Sequence, residues 1–297
     1  MNELARFAFG VLVWPGLLGA AALGLGYLWL ARKGLARLQG RRGPPFGQPF
    51  FDLVKLLGKR TVVPGDANRG FFYALPVSAV AATTFALLLI PVPGNLIGSF
   101  PGDVVLLLFL LEVPVFCDIL AGYVTKSIYG QVSAMREGVL MIGYNVPFLA
   151  AICAMAQHAG SFSLAGMAAA PQGVVTLLAA VAFLIAVPAR LKSNPFSIPN
   201  AEQEIVAGAH IEYNGAPLAL FELSHALELV ALANLFMVLF VPHAGALAFF
   251  AASLALVCAV TAIAALTARL TVARALRFYW VWGGLAAAAS MAAALVS

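Results

Sequence analysis

Apolar residues dominate this chain in eight stretches of about 20 positions, separated by polar or proline- and glycine-rich connections. Each stretch is about as long as a helix needs to be to cross a hydrocarbon core of roughly 30 Å, whereas barrel strands would alternate polar and apolar positions. The pattern predicts an all-α protein, an integral membrane bundle of about eight transmembrane helices in a single domain over residues 1–297. The predicted spans are 7–31, 70–92, 103–125, 139–157, 173–190, 217–241, 245–267 and 277–296.

Composition supports a membrane protein and excludes a redox site in this chain. It is 63% hydrophobic and 10% charged, whereas soluble domains carry roughly 25% charged residues. The first stretch is too long for a signal-peptide core, so we predict a retained helix. Cys117, Cys153 and Cys258 are far apart and lie in apolar runs, which predicts small buried side chains rather than disulfides or metal ligands. Any electrons must therefore be carried by another subunit, because no iron–sulfur, haem or zinc site can be assembled here.

The basic residues predict the orientation. On the eight-helix arrangement, sixteen of the seventeen Lys and Arg residues fall on one side, and Arg6 is the exception. The positive-inside rule makes that side cytoplasmic. We therefore predict a multi-pass protein of the cell inner membrane with both termini outside. This orientation accounts for the net charge of +5 without a nucleic-acid partner.

Two long cytoplasmic connections, residues 32–69 and 191–216, carry most of the remaining sequence complexity. Connections of that length in a compact domain are usually functional. The outward connections, in contrast, contain no Lys, Arg, Asp or Glu. No inverted or parallel repeat relates the two halves of the chain, which argues against a stand-alone secondary transporter.

The first long connection predicts a short amphipathic helix. Pro44, Pro45 and Pro49 exclude a continuous helix across 43–49, because proline lacks the amide donor and restrains the preceding residue. Beyond Pro49, apolar residues recur at helical spacing. By itself this pattern is typical of an interfacial helix in the headgroup layer.

This connection also carries a family resemblance. The stretch "ARLQGRRGPPFGQPFFDLVKLLGK" resembles the pattern R-x-G-P-x…Q-x-x-x-D-x-x-K-L of the membrane subunit that forms the quinone cavity of respiratory complex I. It is closer still to the homologous subunit of group 4 energy-converting nickel–iron hydrogenases and formate hydrogenlyases. The resemblance implies a position at the membrane surface beneath a peripheral arm. The matching residues, candidates for docking that arm, are Arg41, Arg42, Gln48, Asp52 and Lys55.

The second long connection contains the acid-rich loop "AEQEIVAGAHIEYNG", residues 201–215. With its flanks it resembles the same family's P-F-D-x-P-E-A-E-Q-E-x-V-x-G-x-x-x-E-Y-S-G pattern. From the residues alone, Asn200 is a candidate cap of a short helix with a glutamate in its first turn, which a solvated helix would also explain. The resemblance implies instead a path between a redox site and the membrane. Its candidate coupling and cavity residues are Glu202, Glu204, Glu212 and Tyr213.

Ionisable residues inside the predicted sixth span indicate an ion path. Glu222, His225 and Glu228 recur at i, i+3 and i+6 on one flank of a helix. Such residues are energetically unfavourable in a membrane and usually mark a proton or ion path. His225 could relay protons between the two carboxylates, since imidazole changes charge near neutral pH. The alternative is a static pair of His225 and Glu228 against a neighbouring helix.

The predicted third span carries the same signal. Glu112 and Asp118 are six residues apart, point about 120° from one another and need not share a partner. The next connection, "KSIYGQVSAMREGVLMIGYN", resembles the family's S-x-Y…A-x-R stretch, which implies that Lys126, Arg136 and Glu137 join an interior polar axis. The sequence leaves the partner of Arg136 open. The candidate ion-path residues are Glu112, Asp118, Glu137, Glu222, His225 and Glu228.

Three positions depart from the complex I pattern. Ser197 replaces the Asp of P-F-D, Ser193 stands where an Arg often precedes that motif, and Asn145 replaces the Glu of a Y-E pair. Each change removes a charge. Because Asn145 cannot accept and release a proton, coupling must differ from complex I or use Glu137 instead. These departures favour the hydrogenase branch.

The leading hypothesis is a membrane-anchoring, ion-coupling subunit of a group 4 hydrogenase or formate hydrogenlyase complex, with no redox centre, metal site or catalytic residue of its own. The resemblance implies peripheral large and small hydrogenase-like subunits, bearing nickel–iron and iron–sulfur sites, and antiporter-like membrane subunits. The alternative is a complex I subunit with a quinone between the two cytoplasmic segments. A stand-alone transporter is the third hypothesis.

Overall fold

The structure, a computed structural model, describes residues 3–95, 99–242 and 245–296; the side chains of Glu3, Leu4 and Glu202 are outside the described part. Within it the chain is helical, with no strand. The helices are α1 (Glu3–Leu12), α2 (Leu17–Leu38), α3 (Gln48–Leu57), α4 (Arg69–Leu89), α5 (Asp103–Val124), α6 (Ile128–Ala159), α7 (Leu164–Ala168), α8 (Val174–Arg190), α9 (Glu202–Ile205), α10 (Gly215–Phe240), α11 (Ala246–Leu266), α12 (Val272–Phe278) and α13 (Gly284–Val296).

The predicted membrane spans are confirmed. Seven helical segments of the described chain are long and apolar enough to cross a membrane, with α1 and α2 counted together as Ala5–Leu38 and α12 and α13 together as Val272–Val296. The shorter apolar helix α8 has 17 residues, near the lower limit for a span. With α8, eight apolar helical segments of the described chain correspond to the eight predicted spans. Which side the termini face stays a prediction.

Three boundaries differ from the sequence prediction. The first span is broken at residues 13–16, before Leu17 begins α2. A π-helical turn, Tyr279–Gly283, joins α12 to α13. Helix α6 begins at Ile128, not 139, and its 32 residues extend over about 48 Å. The polar positions 128–138 did not look like a span, and α6 continues beyond the apolar part of its sequence.

Helix α10 lies at the centre of the bundle. It packs against α2, α4, α8 and α11, and nearly all its residues from Ala226 onward are buried. A helix that is apolar all round is typically enclosed by other helices. Helix α2 crosses it closely, because a Cβ at Gly24 would lie 2.5 Å from the carbonyl oxygen of Ala226. Glu228 of α10 is therefore enclosed by protein, whereas Glu222 nearer the start of the helix is exposed.

The two long connections fold as predicted in part. The amphipathic helix α3 forms at Gln48–Leu57, with Pro49 in its first turn. In the second connection α9 spans only four residues, and Ala201, with no side-chain hydrogen bond, occupies the cap position. The prediction of Asn200 as the cap is wrong, because the helix begins one residue later than that role requires.

Candidate functional site

Arg190 is the central cation of the polar residues inside the bundle. It ends α8, where a positive charge complements the helix dipole, and its side chain is 0% exposed. Nη1 lies 2.7 Å from Oε1 of Glu112 on α5. Nε lies 3.3 Å from Oε1 of Glu228 on α10, without hydrogen-bond geometry. One buried guanidinium thus holds carboxylates from two other helices.

Asn145 on α6 completes this arrangement. Its Nδ2 donates to Oε2 of Glu112 at 3.2 Å, and its Oδ1 accepts from Nη1 of Arg190 at 3.5 Å. A third carboxylate here would add buried negative charge to a guanidinium that already faces two. The amide therefore suits the local charge balance. We call Arg190, Glu112, Glu228 and Asn145 the arginine group.

Asp118 is the centre of a second arrangement, the lysine group, formed by Asp118, Lys192 and His210. The ammonium of Lys192 contacts Oδ2 of Asp118, and Nε2 of His210 lies 3.1 Å from Oδ1. Lys192 follows α8 with a φ of 50°, a left-handed conformation that is uncommon for a non-glycine residue. Glu112 and Asp118 therefore have different cations as partners, as their angular separation on α5 allows.

Charge around Lys192 favours its ammonium form. Burial disfavours that form, but the carboxylates of Asp118 and Glu137 outweigh burial and raise the pKa of Lys192 above its usual range. The side chain is therefore a fixed positive charge at neutral pH.

A small chamber of about 60 Å³ connects the two groups. Its volume accommodates a few water molecules. All three predicted ionisable residues of α10 line it, together with all three members of the lysine group. Among them Glu228 is buried, His225 is half-buried and Glu222 is exposed. The lining is Pro114, Asp118, Lys192, Asn200, His210, Phe221, Glu222, Ser224, His225 and Glu228.

Arg136 contacts the acid-rich loop. Its Nη1 lies 2.7 Å from Oε2 of Glu204, and the nearby Oγ of Ser133 donates to the carbonyl oxygen of Pro199 at 2.7 Å. The first turns of α6 therefore hold the loop in place. The partner of Arg136, which the sequence left open, is Glu204. Glu137 is buried and accepts a long 3.5 Å hydrogen bond from the Tyr144 hydroxyl.

Lys126 does not join the interior polar residues. It is exposed in the tight turn between α5 and α6. The prediction of an interior position is wrong, because that turn lies at the surface of the bundle.

Aromatic rings hold the end of the acid-rich loop. Tyr213 stacks on Phe72 with ring centroids 4.3 Å apart, and His210 stacks on Phe221 at the same distance. Burial, then the charges of Asp118 and Cys117, raise the pKa of Tyr213 above its usual range. The buried hydroxyl of Tyr213 has no hydrogen-bond partner among the described residues.

The three predicted loop residues whose side chains the structure describes have different surroundings. Glu204 is paired but 55% exposed, Glu212 is exposed, and Tyr213 is buried among rings. The side chain of Glu202 lies outside the described residues.

The predicted docking residues divide into two sets. Nε2 of Gln48 donates to Oδ1 of Asp52 at 2.8 Å, and Oδ2 of Asp52 lies 3.3 Å from Nη1 of Arg32. Asp52 therefore attaches α3 to α2, and Gln48 holds the Asp52 carboxylate from within α3. The other set is exposed and consists of Arg41, Arg42 and Lys55.

A larger, open cavity of about 570 Å³ lies beside the chamber. Residues of α2, α10 and α11 and of the connection after α8 line it. Lys192, Asn200 and His225 line both spaces, so these three side chains form the wall between them.

No group of three or more His, Cys, Asp and Glu side chains in the described chain could hold a metal ion. Cys117 is buried as predicted, but Cys153 and Cys258 are exposed. The prediction that Cys153 and Cys258 are buried is wrong, because an apolar stretch of sequence also includes the helix face that lies against lipid.

Sequence reasoning missed Arg190, Lys192 and His210 as site residues. Arg190 and Lys192 were used only as positive charges that predict the orientation, and no role was predicted for His210. A signal existed: buried carboxylates require cationic partners, and few cations lie close to the spans. The sequence could not show which cation faces which acid.

Comparison with known proteins decides the family. The family model described as NADH dehydrogenase matches residues 12–295, nearly the whole chain. This chain belongs to the NADH dehydrogenase family. It is a multi-pass membrane subunit of a complex I-like, multi-subunit respiratory complex.

One relative of this NADH dehydrogenase family member is a subunit of the NADH-quinone oxidoreductase of Geobacter metallireducens. The two sequences are 35% identical over 69% of this chain and 68% of the relative. The corresponding NADH-quinone oxidoreductase subunit of Dehalococcoides mccartyi is 30% identical over 72% of this chain and 64% of that protein. A chain of the membrane-bound sulfane sulfur reductase, an archaeal respiratory membrane complex, superposes with a TM-score of 0.87 at 28% identity. That match covers 98% of this chain and 99% of the other.

Replacing Lys192 tests the lysine group. We expect Lys192→Met to destabilise the subunit by about 3 kcal/mol, because it leaves the half-buried Asp118 with His210 as its remaining partner. Because the pKa of Lys192 is raised, the stabilisation is complete below the ordinary lysine value of about 10.4 and is lost only as pH rises through the higher, folded-state value.

Thermal unfolding of the purified complex at several pH values checks this prediction. The difference between wild type and variant should be constant from about pH 6 to 9, and Lys192→Arg should restore most of the stability. A difference that disappears within this range would refute the assignment of a permanently charged Lys192.

Proposed function

We propose that this subunit couples electron transfer in partner subunits to the movement of protons or sodium ions across the membrane. The observation that carries the proposal is the chamber that joins the lysine group to Glu228 of the arginine group. Charges in a span are energetically unfavourable and mark ion pathways when they are paired and face a cavity. Here the paired charges start at the acid-rich loop and continue into the centre of the bundle.

The loop can act on this path through His210. His210 belongs to the loop, whereas its partner Asp118 belongs to α5. A partner subunit that displaces the loop would withdraw His210 and leave Oδ1 of Asp118 without its contact to the imidazole. Electrostatic interactions are strong at low dielectric, so the carboxylate would then attract a cation through the chamber. Glu222, His225 and Glu228 would pass it on, while Arg190 keeps Glu112 and Glu228 close together.

We assign the complex to the branch of group 4 hydrogenases and formate hydrogenlyases. Two observations support this assignment. A chain of the sulfane sulfur reductase complex superposes over 98% of this chain and 99% of its own length. The neutral Asn145 also fits the charge balance of the arginine group. The partners would be peripheral large and small hydrogenase-like subunits, carrying nickel–iron and iron–sulfur sites, and antiporter-like membrane subunits.

Purification through a tag on this chain tests the assignment. We expect a hydrogenase-like large subunit and an iron–sulfur protein to co-purify, and electron transfer by the reconstituted complex to drive ion uptake into liposomes. Subunits of an NADH-oxidising module in their place would refute the hydrogenase branch. Recovery of this chain without any redox subunit would refute the coupling function itself.

Quinone binding is the second candidate function. It is favoured by the named NADH-quinone oxidoreductase relatives and by the open cavity, whose wall is partly apolar. Electron transfer to a short-chain quinone by the complete complex, inhibited by a substitution of Leu229 or Val260 in the cavity wall to Trp, would support it. A rate that is independent of both substitutions would exclude this cavity as the quinone site.

A further inference from the structure

The open cavity has one apolar side and one basic side. The apolar side is formed by the membrane spans α2 and α11, through Leu28, Leu35, Val257 and Val260. The polar side comes from the connection after α8 and from the segments that follow α2 and α11. Its volume of about 570 Å³ is in the range of small-molecule sites. The cavity therefore suits an amphiphile.

Charge on the polar side has one sign. Four cationic side chains line the cavity, Arg32, Arg41, Lys192 and Arg269, and no described lining residue is acidic. Lone Lys or Arg residues at a membrane surface are common, but four around one cavity without a lining carboxylate produce a concentrated positive potential.

Two of these four cations are already neutralised. Arg32 pairs with Asp52, and Lys192 pairs with Asp118, and neither acid lines the cavity. Their charges therefore contribute little to a further ligand.

The other two cations have only neutral partners among the described residues. Nη2 of Arg41 donates to Gln39 Oε1 at 2.5 Å. Arg269 donates to Ser197 Oγ at 3.1 Å and to Gln203 Oε1 at 2.9 Å. Each guanidinium has five N–H donors, so both retain free donors and a full positive charge.

We propose that the open cavity is a binding site for an anionic phospholipid, with its phosphate between Arg41 and Arg269 and an acyl chain along α2 and α11. Guanidinium groups bind phosphate oxygens in pairs of parallel hydrogen bonds. Basic pockets between transmembrane helices are suited to acidic headgroups. The neighbouring side chains of Asn194 and Asn200 supply neutral hydrogen-bond donors.

The same features argue against the other occupants. A neutral quinone ring gains little from two uncompensated guanidinium groups. A free phosphate ion would leave the apolar wall of α2 and α11 in contact with water. A phospholipid satisfies both sides, and the bilayer supplies it at high concentration. This site goes beyond the coupling function, because its failure would leave ion uptake through the chamber untouched.

Lipid binding by the complete, detergent-purified complex tests the proposal. The probes are phosphatidylglycerol and phosphatidylcholine with the same fluorescent acyl chain. We expect phosphatidylglycerol to bind at least about tenfold more tightly, and Arg41→Gln and Arg269→Gln each to weaken it by about tenfold, the loss of one charge-assisted contact. Arg269→Lys should retain most of the affinity. Arg277→Gln, at an exposed arginine outside the cavity, should leave it unchanged.

Several outcomes would overturn the proposal. Equal binding of the two lipids, or an equal effect of Arg277→Gln, would show non-specific attraction to basic surface. Competition by glycerol 3-phosphate as effective as that of the lipid would make the ligand a soluble anion. Displacement of the lipid by a short-chain quinone at equal concentration would indicate that the cavity binds quinone and not phospholipid. Because Arg269 also holds Ser197 and Gln203, full affinity in Arg41→Gln would contradict the site even if Arg269→Gln disturbed the loop.

Discussion

Glu228→Gln is expected to abolish ion uptake by liposomes that contain the complete complex, while electron transfer between the redox centres of the partner subunits continues. Glutamine has nearly the shape of glutamate but cannot take up and release a proton or carry a negative charge. Glu228 lines the chamber and also contacts Arg190. No other described carboxylate does both. Uptake should fall to the level of liposomes without protein.

Two matched substitutions make this result specific. Glu222→Gln, six residues earlier on α10 and in the lining of the same chamber, should also abolish uptake. Asp66→Asn, at an exposed acid in the first long connection, should leave it unchanged. The measurement compares initial rates of ion uptake and of electron transfer in the same preparation. Normal uptake in the Glu228 variant would refute the assignment of this residue to the ion path.

Arg190→Met is expected to destabilise the subunit by at least about 3–5 kcal/mol, the usual effect of removing one partner from a buried ion pair. The effect should exceed that of Lys192→Met, because two carboxylates, Glu112 and Glu228, lose their cation together. The donors to Asn145 and to the Leu111 carbonyl oxygen are lost as well. Assembly of the complex should therefore fail or become temperature-sensitive.

Rescue distinguishes charge from shape in this experiment. Adding Glu112→Gln and Glu228→Gln to Arg190→Met removes the unpaired charges and should recover much of the lost stability, although not ion uptake. Arg274→Met, at an exposed arginine, is the control for loss of a positive charge. The yield and thermal unfolding of the purified complex are measured. A triple variant as unstable as Arg190→Met alone would indicate that the packing of the arginine against Phe148 matters more than its charge.

The sequence by itself determined the membrane architecture and the family. Length and apolarity of a span are local properties, so the eight crossings and the amphipathic helix α3 could be predicted from windows of the chain. The motifs of the two long connections identified the family before any contact was known. Spacing also placed Glu222, His225 and Glu228 along one flank of α10, because helical geometry is regular.

Only the tertiary structure decided which charges meet. Arg190 and Glu112 are 78 positions apart, and His210 reaches Asp118 across 92. No periodicity relates such pairs, since they depend on how separate helices and a loop pack. The start of α6 and the surface position of Lys126 were also misjudged for this reason. Hydrophobicity records whether a helix is apolar enough to cross lipid, whereas the balance of buried charge is set by the neighbours that packing brings to each residue.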